Sequence, residues 1–323
     1  MNLPALVLTA GLGTRLRPLT YLRAKAAVPV NGEPLAIRVV RWLAAAGCTN
    51  LVLNLHHHPE TLTRRLGDGH DLGARVRYSW EQPVLGSAGG PRHALPLLAD
   101  SGPGPFLLVN GDTLTNVDLQ ALRETHERAG ALVTMALIPN PRPDKYGGVQ
   151  VSDDGWVTGF TRAGTPGESF HFIGVQVAEP RAFADLPDGV PAESVNALYP
   201  TLMIARARCI AAFVSTASFR DIGTPADCLQ TSLELAEIEG DRLTTSRGSQ
   251  IDQSARLTRT AVWDDVTIGP GAVLTECIVG DGALVPAGAQ YERCAIVPSA
   301  RTDGERTLRE GERIDGQLLV KAL

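Results

Sequence analysis

Cysteine is scarce in this sequence, and its spacing excludes two kinds of site. The 323 residues contain five cysteines, an odd number, and no Cys-x-x-Cys pair. A disulfide framework requires an even set of cysteines, and a structural zinc site requires closely spaced ones. We therefore expect small, buried hydrophobic side chains at Cys48, Cys209, Cys228, Cys277 and Cys294.

Long apolar runs and a surplus of positive charge are missing as well. No segment approaches the roughly 18 apolar residues of a membrane span, and the amino terminus lacks a basic region followed by an apolar run. We therefore expect no membrane span, no signal peptide and a cytoplasmic location. The formal net charge is -5, whereas a nucleic-acid-binding protein usually presents a basic face. Any affinity for phosphate must therefore be local.

Residues 6–20 have the composition of such a local phosphate site. An apolar strand is followed by a loop with Gly11 and Gly13, then by Arg15 and the start of a helix. Unpaired backbone N–H groups at a helix start bind phosphate, and glycines let a ligand approach them closely. Leu16 replaces the third glycine of a dinucleotide fingerprint, and no Lys-Ser or Lys-Thr follows as in the usual P-loop. An oxidoreductase is therefore disfavoured, and a tight turn with solvated arginines is the alternative.

Strand and helix signals alternate through the chain as far as residue 240, which predicts an α/β fold with a mainly parallel sheet flanked by helices. Helical periodicity favours helices at residues 33–46, 60–66, 91–98, 198–204 and 225–239. Apolar runs favour strands at residues 51–55, 75–79, 106–109, 131–138 and 210–214. Residues 147–160 and 170–177 alternate like antiparallel hairpins and are predicted to form an insertion or lid that carries part of the site.

The composition changes after about residue 240. Apolar positions then recur about every six residues, as at Ile268, Leu274, Val279 and Val285. This rhythm is typical of a parallel β-helix, and the length allows about two to three coils. We predict an α/β domain at 1–240 and a short hexapeptide-repeat domain at 241–323 that serves packing or oligomerisation. Turn-rich strands without a solenoid are the alternative.

Two aspartates follow apolar strand signals at points suited to a metal ion. Asp112 comes directly after the strand at 106–109, and Asp221 precedes a Gly-Thr-Pro break that leads into a helix. Ligands collect at the carboxyl ends of strands in open α/β sheets, and Mg2+ binds through one or two carboxylates with phosphate oxygens. Asp112 alone is equally compatible with a turn or a helix cap, but the second carboxylate favours the metal. The histidines at 56–58 do not share one face, so we expect no metal site there.

Two further segments carry polar residues in unusual surroundings. Lys25 is an isolated cation in an apolar loop, where its ammonium reaches solvent or meets an anion. In residues 81–90, small residues including Gly86 and Ser87 would let a planar base lie close to the backbone. The Glu81 carboxylate only accepts hydrogen bonds, and guanine offers two adjacent donors, which favours GTP. The alternative is a Glu81 that binds through water or faces the helix.

These motifs, in this order, resemble those of the sugar-1-phosphate nucleotidylyltransferases, the NDP-sugar pyrophosphorylases, and mannose-1-phosphate guanylyltransferases in particular. The resemblance rests on Gly11-Leu-Gly-Thr-Arg15, Asn110-Gly-Asp112, Asp221-Ile-Gly-Thr224 and the segment at 81–90. It covers about residues 3–240, and the repeat tail is similar to a common appendage of the family. It implies a Rossmann-like nucleotidyltransferase sheet for the catalytic domain and a short C-terminal left-handed parallel β-helix.

The resemblance also implies roles for individual residues. The implied catalytic residues are Arg15, Lys25, Asp112 and Asp221, with Mg2+ held by the two aspartates. The implied nucleotide-binding residues are Ala10, Gly11, Gly13, Thr14, Arg15, Glu81, Gly86 and Ser87. The implied sugar-phosphate-binding residues are Lys25, Gly148, Arg162, Glu168, Gly174 and Glu193. Two positions depart from the family pattern, because Ala24 replaces the proline before the lysine and Thr161-Arg162 replaces a Glu-Lys pair.

The implied reaction joins an NTP to a sugar 1-phosphate and releases pyrophosphate. GTP and a mannose- or heptose-type sugar are favoured, and a UTP- or dTTP-dependent uridylyl- or thymidylyltransferase is the first alternative. A non-catalytic sugar-nucleotide-binding regulatory subunit is the second, because of the departures at Ala24 and Thr161. The expected partners are the two substrates and, through the tail, further copies of this chain, without nucleic acid or membrane.

Overall fold

The computed structural model describes residues 3–100, 102–301 and 308–323. The chain forms two compact units, and each is discontinuous in sequence. The first unit contains Met1–Gly11, Ala36–Pro59 and Thr63–Arg220. The second unit contains Leu12–Leu35, Glu60–Leu62 and Asp221–Leu323, so it combines the residues after the first strand with the repeat tail.

The five predicted helices are present with shifts of at most five residues at their ends, and a sixth helix, at Leu119–Ala129, was not predicted. In chain order they are α1 (Leu35–Ala45), α2 (Pro59–Leu66), α3 (Gly86–Ala99), α4 (Leu119–Ala129), α5 (Tyr199–Ala205) and α6 (Pro225–Glu239). The helix expected after the first glycine loop consists only of 3-10 turns, at Thr14–Leu16, Leu19–Tyr21 and Lys25–Ala27, because Pro18 lacks the N–H group that a continuous helix needs. A π-helical turn at Ser194–Leu198 leads into α5.

The strands carry the alternating and continuous apolar patterns seen in the sequence. Those of the α/β part are β1 (Ala5–Leu8), β2 (Pro29–Val30), β3 (Glu33–Pro34), β4 (Asn50–Leu55), β5 (Arg75–Trp80), β6 (Phe106–Asn110), β7 (Thr113–Thr115), β8 (Val133–Pro139), β9 (Gly148–Val151), β10 (Val157–Thr161), β11 (Phe170–Ala178), β12 (Ile210–Val214) and β13 (Phe219–Asp221). Those of the tail are β14 (Gln250–Ile251), β15 (Arg256–Thr258), β16 (Ala261–Val262), β17 (Thr267–Ile268), β18 (Val273–Thr275), β19 (Ile278–Val279), β20 (Leu284–Val285), β21 (Gln290–Glu292), β22 (Cys294–Pro298), β23 (Glu312–Asp315) and β24 (Leu318–Ala322).

A nine-stranded sheet forms the first unit. Its order is β10-β9-β11-β6-β1-β4-β5, and β8 pairs with both β11 and β12. The pairing directions give β1, β4, β5, β6, β8, β9 and β12 one orientation, with β10 and β11 running against them. The sheet is therefore mainly parallel, and the predicted mixed α/β fold is confirmed.

The central strands are buried because they read as continuous apolar runs rather than alternating ones. Leu6 of β1, Val52 of β4 and Phe106 of β6 belong to one buried cluster with Phe183 and Tyr199. Helix α3 packs against β1, β4 and β5, and α4 packs against β8, β11 and β12. This core aligns the carboxyl ends of β1, β4 and β6, which is where ligands bind in parallel sheets.

The tail of the second unit contains three parallel sheets with one common repeat. Their orders are β14-β17-β20, β15-β18-β21 and β16-β19-β22, and the last continues antiparallel through β24 and β23. Register pairs advance by 17 residues, as from Ile251 to Ile268 and on to Val285. Leu274 and Val279 are buried in the core of this tail. Each repeat therefore contains three short strands in 17 residues, which is one residue fewer than three sides of six residues would need.

All five cysteines are buried and carry free thiols, as expected. Burial raises the pKa of Cys48 to about 11 and that of Cys228 to about 12, so neither thiol is ionised at neutral pH. Within the three described ranges, no helix combines the length and the apolar character that crossing a membrane requires.

Candidate active site

Asn54 organises the carboxyl ends of β1 and β4 in the first unit. Its side-chain oxygen accepts hydrogen bonds from the backbone N–H groups of Thr9 at 2.6 Å and Ala10 at 3.3 Å. The Thr9 hydroxyl donates to the backbone carbonyl of Asn54. The Asn54 side-chain NH2 donates to Glu81 Oε1 at 2.7 Å. The sequence reasoning missed Asn54, although an asparagine inside the apolar run of β4 was the available signal.

The Glu81 carboxylate faces the protein chain. Its Oε1 accepts from Asn54, and its Oε2 accepts from the backbone N–H of Leu85 at 2.8 Å. Only 4% of the residue is exposed. These contacts match the alternative in which Glu81 faces the helix, because its oxygens already hold the segment that leads into α3.

A cavity of about 210 Å³ opens at these strand ends. Its lining includes five of the predicted nucleotide-binding residues and one predicted metal ligand, namely Ala10, Gly11, Glu81, Gly86, Ser87 and Asp112. Asn54 and Asn110 also line it. Residues that lie up to about a hundred positions apart in the sequence therefore meet at one edge of the sheet.

The first turn of α3 fits tightly against the segment before the π-helical turn. A Cβ atom at Gly86 would lie 2.7 Å from the backbone oxygen of Ala192, and the same backbone oxygen accepts from the N–H of Ala88 at 2.9 Å. The Ser87 hydroxyl donates to Glu193 Oε2 at 2.8 Å. This packing explains why α3 begins at Gly86 instead of residue 91, since tertiary contacts override the low helix propensity of glycine. Glu193, predicted for the sugar, contacts the predicted base segment.

Two other glycines allow close approaches near Asp112. A Cβ atom at Gly111 would lie 2.7 Å from Thr9 Cγ2, so the turn that carries Asp112 packs directly against the end of β1. Gly174 has a φ of +76°, and a Cβ atom there would lie 2.8 Å from Asn110 Nδ2. Both positions therefore require glycine to keep the cavity wall in place.

A second and larger cavity, of about 530 Å³, lies in the first unit between the hairpin strands and the start of α5. Gly148 and Arg162, both predicted to bind the sugar phosphate, line it together with Thr161 and Asn196. A Cβ atom at Gly148 would lie 2.5 Å from the Thr161 hydroxyl oxygen. Gly174, Glu168 and Glu193 are not among the described residues that line this cavity.

An aromatic cluster borders the larger cavity. The ring centroid of His171 lies 4.4 Å from that of Tyr146 and 4.6 Å from that of Phe219. Burial lowers the pKa of His171, so its imidazole is neutral at pH 7. The sequence analysis missed His171; the available signal was that it is one of only two polar residues, with Gln176, in the mostly apolar strand β11.

In the second unit, the glycine loop and the lysine loop contact each other. A Cβ atom at Gly13, whose φ is +60°, would lie 2.7 Å from Thr20 Cγ2 and 3.1 Å from Lys25 Cβ. The Thr20 hydroxyl donates to the backbone oxygen of Gly13 at 2.9 Å. Gly13 and Lys25, predicted for the two different substrates, are therefore neighbours.

Arg15 and Asp221 of the second unit meet around one glycine. A Cβ atom at Gly223 would lie 3.1 Å from Asp221 Oδ2 and 3.3 Å from Arg15 Nη1. The next residues form a capping box in which Thr224 and Asp227 bond each other, so α6 begins at a defined point. The predicted arginine and one predicted metal ligand thus lie close to each other.

The two predicted metal ligands belong to different units, Asp112 to the first and Asp221 to the second. Each carboxylate lies beside predicted phosphate-binding residues, and carboxylate oxygens suit Mg2+. Within the described part of the chain, no group of three or more His, Cys, Asp or Glu residues is arranged to hold a metal ion. Magnesium binding by these two aspartates therefore stays a prediction.

Comparisons of this chain with known proteins bear on its family. The family model described as nucleotidyl transferase matches residues 4–162. N-acetylmuramate alpha-1-phosphate uridylyltransferase from Neisseria meningitidis serogroup B is 35% identical over 201 residues, which cover 61% of this chain and 83% of that protein. The chain belongs to the nucleotidyl transferase family. The predicted family and the prediction of an enzyme are thereby confirmed.

Other relatives of this nucleotidyl transferase extend the similarity into the tail. Mannose-1-phosphate guanylyltransferase from Mycobacterium tuberculosis is 29% identical over 300 residues, covering 90% of this chain and 83% of that protein. Among solved structures, HddC from Yersinia pseudotuberculosis, complexed with GMP-PN, matches with a TM-score of 0.63 at 21% identity. The match covers 72% of this chain and 99% of HddC, which supports the fold.

Proposed function

We propose that this nucleotidyl transferase joins an NTP to a sugar 1-phosphate and releases pyrophosphate. The observation that carries the proposal is the 210 Å³ cavity, where Gly11, Gly86 and Ser87 meet Asp112 at the carboxyl ends of the strands. Family membership and the names of the relatives support the same reaction class.

The reaction needs positioning and charge stabilisation more than proton transfer. An oxygen of the sugar phosphate attacks the α-phosphorus in line, and this oxygen is already ionised at neutral pH. Arg15 neutralises the leaving pyrophosphate, and Lys25 orients the attacking phosphate. Asp112 and Asp221 would be the ligands of Mg2+, which would supply charge stabilisation at the phosphates.

GTP is the proposed nucleotide, and its support comes from the relatives. Several are named mannose-1-phosphate guanylyltransferases, whereas the Neisseria relative is named a uridylyltransferase. The hydrogen bonds of Glu81 to Asn54 and Leu85 remove the residue-based reason to prefer guanine. UTP and dTTP therefore remain the alternatives to test.

The 530 Å³ cavity is the proposed sugar-phosphate site. Arg162 supplies a cation for the phosphate, and Gly148 leaves room for the ring. A mannose- or heptose-type sugar is proposed from the guanylyltransferase relatives. Glu168, Gly174 and Glu193 keep their proposed sugar roles, with Glu193 acting beside Ser87.

The tail is proposed to be a short left-handed parallel β-helix that forms the domain at 241–323. Its three parallel sheets with a common 17-residue step support this proposal. A tail of this kind offers a surface through which copies of the chain could associate, and sedimentation of the purified protein would measure that.

The test is release of pyrophosphate from four NTPs, each combined with mannose, glucose, heptose and N-acetylated sugar 1-phosphates, with and without Mg2+. Asp112→Asn is expected to reduce turnover about a hundredfold or more, the scale of metal-ion catalysis. Asp185→Asn, the same change at an exposed position, is the control. Near-normal turnover of Asp112→Asn would refute the mechanism, and binding without turnover for every pair would favour a sugar-nucleotide sensor.

A further inference from the structure

Arg23 is almost completely buried among residues of the tail. Its Nε donates to Asp281 Oδ2 at 2.6 Å, and its Nη2 donates to Asp281 Oδ1 at 2.6 Å. The same Nη2 donates to Asp264 Oδ2 at 2.9 Å. The guanidinium also lies over the Trp263 ring, 5.2 Å from its centroid. Three tail residues therefore surround an arginine that lies two positions before Lys25.

The contact of Arg23 with Asp281 and Asp264 holds the guanidinium in one position. The two parallel hydrogen bonds to Asp281 form the fork geometry that makes arginine pairs with carboxylates specific. Only 8% of the Arg23 side chain is exposed, so water screens the interaction weakly. Burial alone would lower the pKa of Arg23, but the hydrogen bonds and charges of Asp281 and Asp264 raise it above its usual value. The guanidinium is therefore a permanent cation.

Other contacts hold the loop on both sides of Arg23. A Cβ atom at Gly280 would lie 2.6 Å from Leu22 Cδ1, so the tail backbone approaches the loop as closely as glycine allows. Lys321 Nζ donates to the backbone oxygen of Arg17 at 3.1 Å. All of these residues belong to the second unit. The loop that carries Lys25 is thus packed on the tail along much of its length.

Ala24 has the backbone conformation of a proline without being one. Its φ is -53° and its ψ is 145°, close to the values that a proline ring imposes. Its N–H, which proline would lack, donates to the Thr61 hydroxyl oxygen at 3.0 Å. The conformation that the family pattern secures with a proline is therefore secured here by neighbouring contacts.

We propose that Arg23 is a positioning residue for Lys25, and that the tail, through Asp281 and Asp264, completes the active site by holding this loop. The hydrogen bonds of Arg23 with Asp281 and Asp264 fix the loop in the conformation that a proline at position 24 would favour. The proposal rests on the proposed role of Lys25 in orienting the sugar phosphate. It makes the tail part of the catalytic machinery in addition to any role in association.

Steady-state kinetics of the full-length enzyme provide the first test. Arg23→Lys keeps the positive charge but cannot form the two parallel hydrogen bonds to Asp281. Asp281→Asn removes the negative charge but keeps an oxygen that can accept the hydrogen bond from the Asp264 N–H. Both are expected to raise the KM for the sugar 1-phosphate and to lower kcat/KM about 10- to 100-fold. A merely structural role would reduce the active fraction at unchanged KM. Glu276→Gln, which removes the tail ion pairs with Arg259 and Arg293, is the matched control and should leave both constants unchanged. If Arg23→Lys fails to fold, the kinetic comparison is made with Asp281→Asn and Glu276→Gln.

Hydrogen exchange measures the loop without relying on catalysis. Backbone amides at residues 22–28 are expected to exchange faster in Asp281→Asn than in the wild type or Glu276→Gln. Unchanged exchange together with an unchanged KM in both Arg23→Lys and Asp281→Asn would overturn the proposal. Absence of turnover in the wild type for every substrate pair would refute the proposed function, and the exchange result would then decide the positioning role by itself.

Discussion

Replacing Glu81 by glutamine separates two roles for this buried carboxylate. Both of its oxygens accept hydrogen bonds, one from Asn54 and one from the Leu85 N–H. Glutamine keeps the volume but presents an NH2 group in place of one oxygen, so one donor must face another donor whichever way the amide is turned. Because only 4% of the residue is exposed, water cannot relieve the mismatch.

The expected cost follows from these two hydrogen bonds. Losing one hydrogen bond to a charged group costs about 1.5 to 3 kcal/mol, and a buried donor left without a partner adds to this. We therefore expect Glu81→Gln to lower the free energy of unfolding by about 2 to 4 kcal/mol. Glu237→Gln, at an exposed position of α6, should stay within about 0.5 kcal/mol of the wild type. Denaturant titration of both variants measures the difference.

Nucleotide kinetics decide what Glu81 does for the reaction. If it positions the segment before α3, kcat/KM should fall by a similar factor for every NTP that the wild type uses. If it reads guanine, GTP should lose far more than UTP. A stable Glu81→Gln variant whose GTP-to-UTP ratio changes by more than about tenfold, or 1.4 kcal/mol, would refute the positioning role.

Three further predictions follow from the packing. Gly86→Ala should lower the free energy of unfolding by about 1 to 3 kcal/mol more than Gly189→Ala does. Both glycines have a φ near +75°, but only a Cβ atom at Gly86 would clash with neighbouring atoms, so equal losses would show that the clash is not the cause. Because burial lowers the pKa of His171, its contribution to stability is present above the unfolded pKa and is lost as the pH falls, so His171→Phe should flatten the decline in melting temperature between about pH 7 and 5. The buried thiol of Cys228 should react with a thiol reagent only after unfolding, and rapid reaction of the native protein would show that this core opens.

The sequence was sufficient for features that depend on neighbouring residues. Helix α6 begins and ends where its periodicity and its Thr-Pro start predict, and β1, β4 and β6 follow from their apolar runs. The family motifs were readable for the same reason, since a glycine loop or an Asn-Gly-Asp turn is a local pattern with a local function. In the tail the sequence indicated a rhythm of about six residues, whereas the paired strands advance by 17 residues, and the β-helix stays a prediction.

Tertiary structure alone decided which distant side chains share a partner. Glu81 is a candidate base reader in the sequence, but Asn54, 27 positions earlier, uses one of its oxygens. Arg23 has no distinguishing pattern, and its partner Asp281 lies 258 positions later. Such pairs are invisible locally because a hydrogen bond depends on distance in space, which the packing of the whole chain sets. The motifs therefore predicted the type of reaction, and the folded chain determined which residues hold the predicted site residues in place.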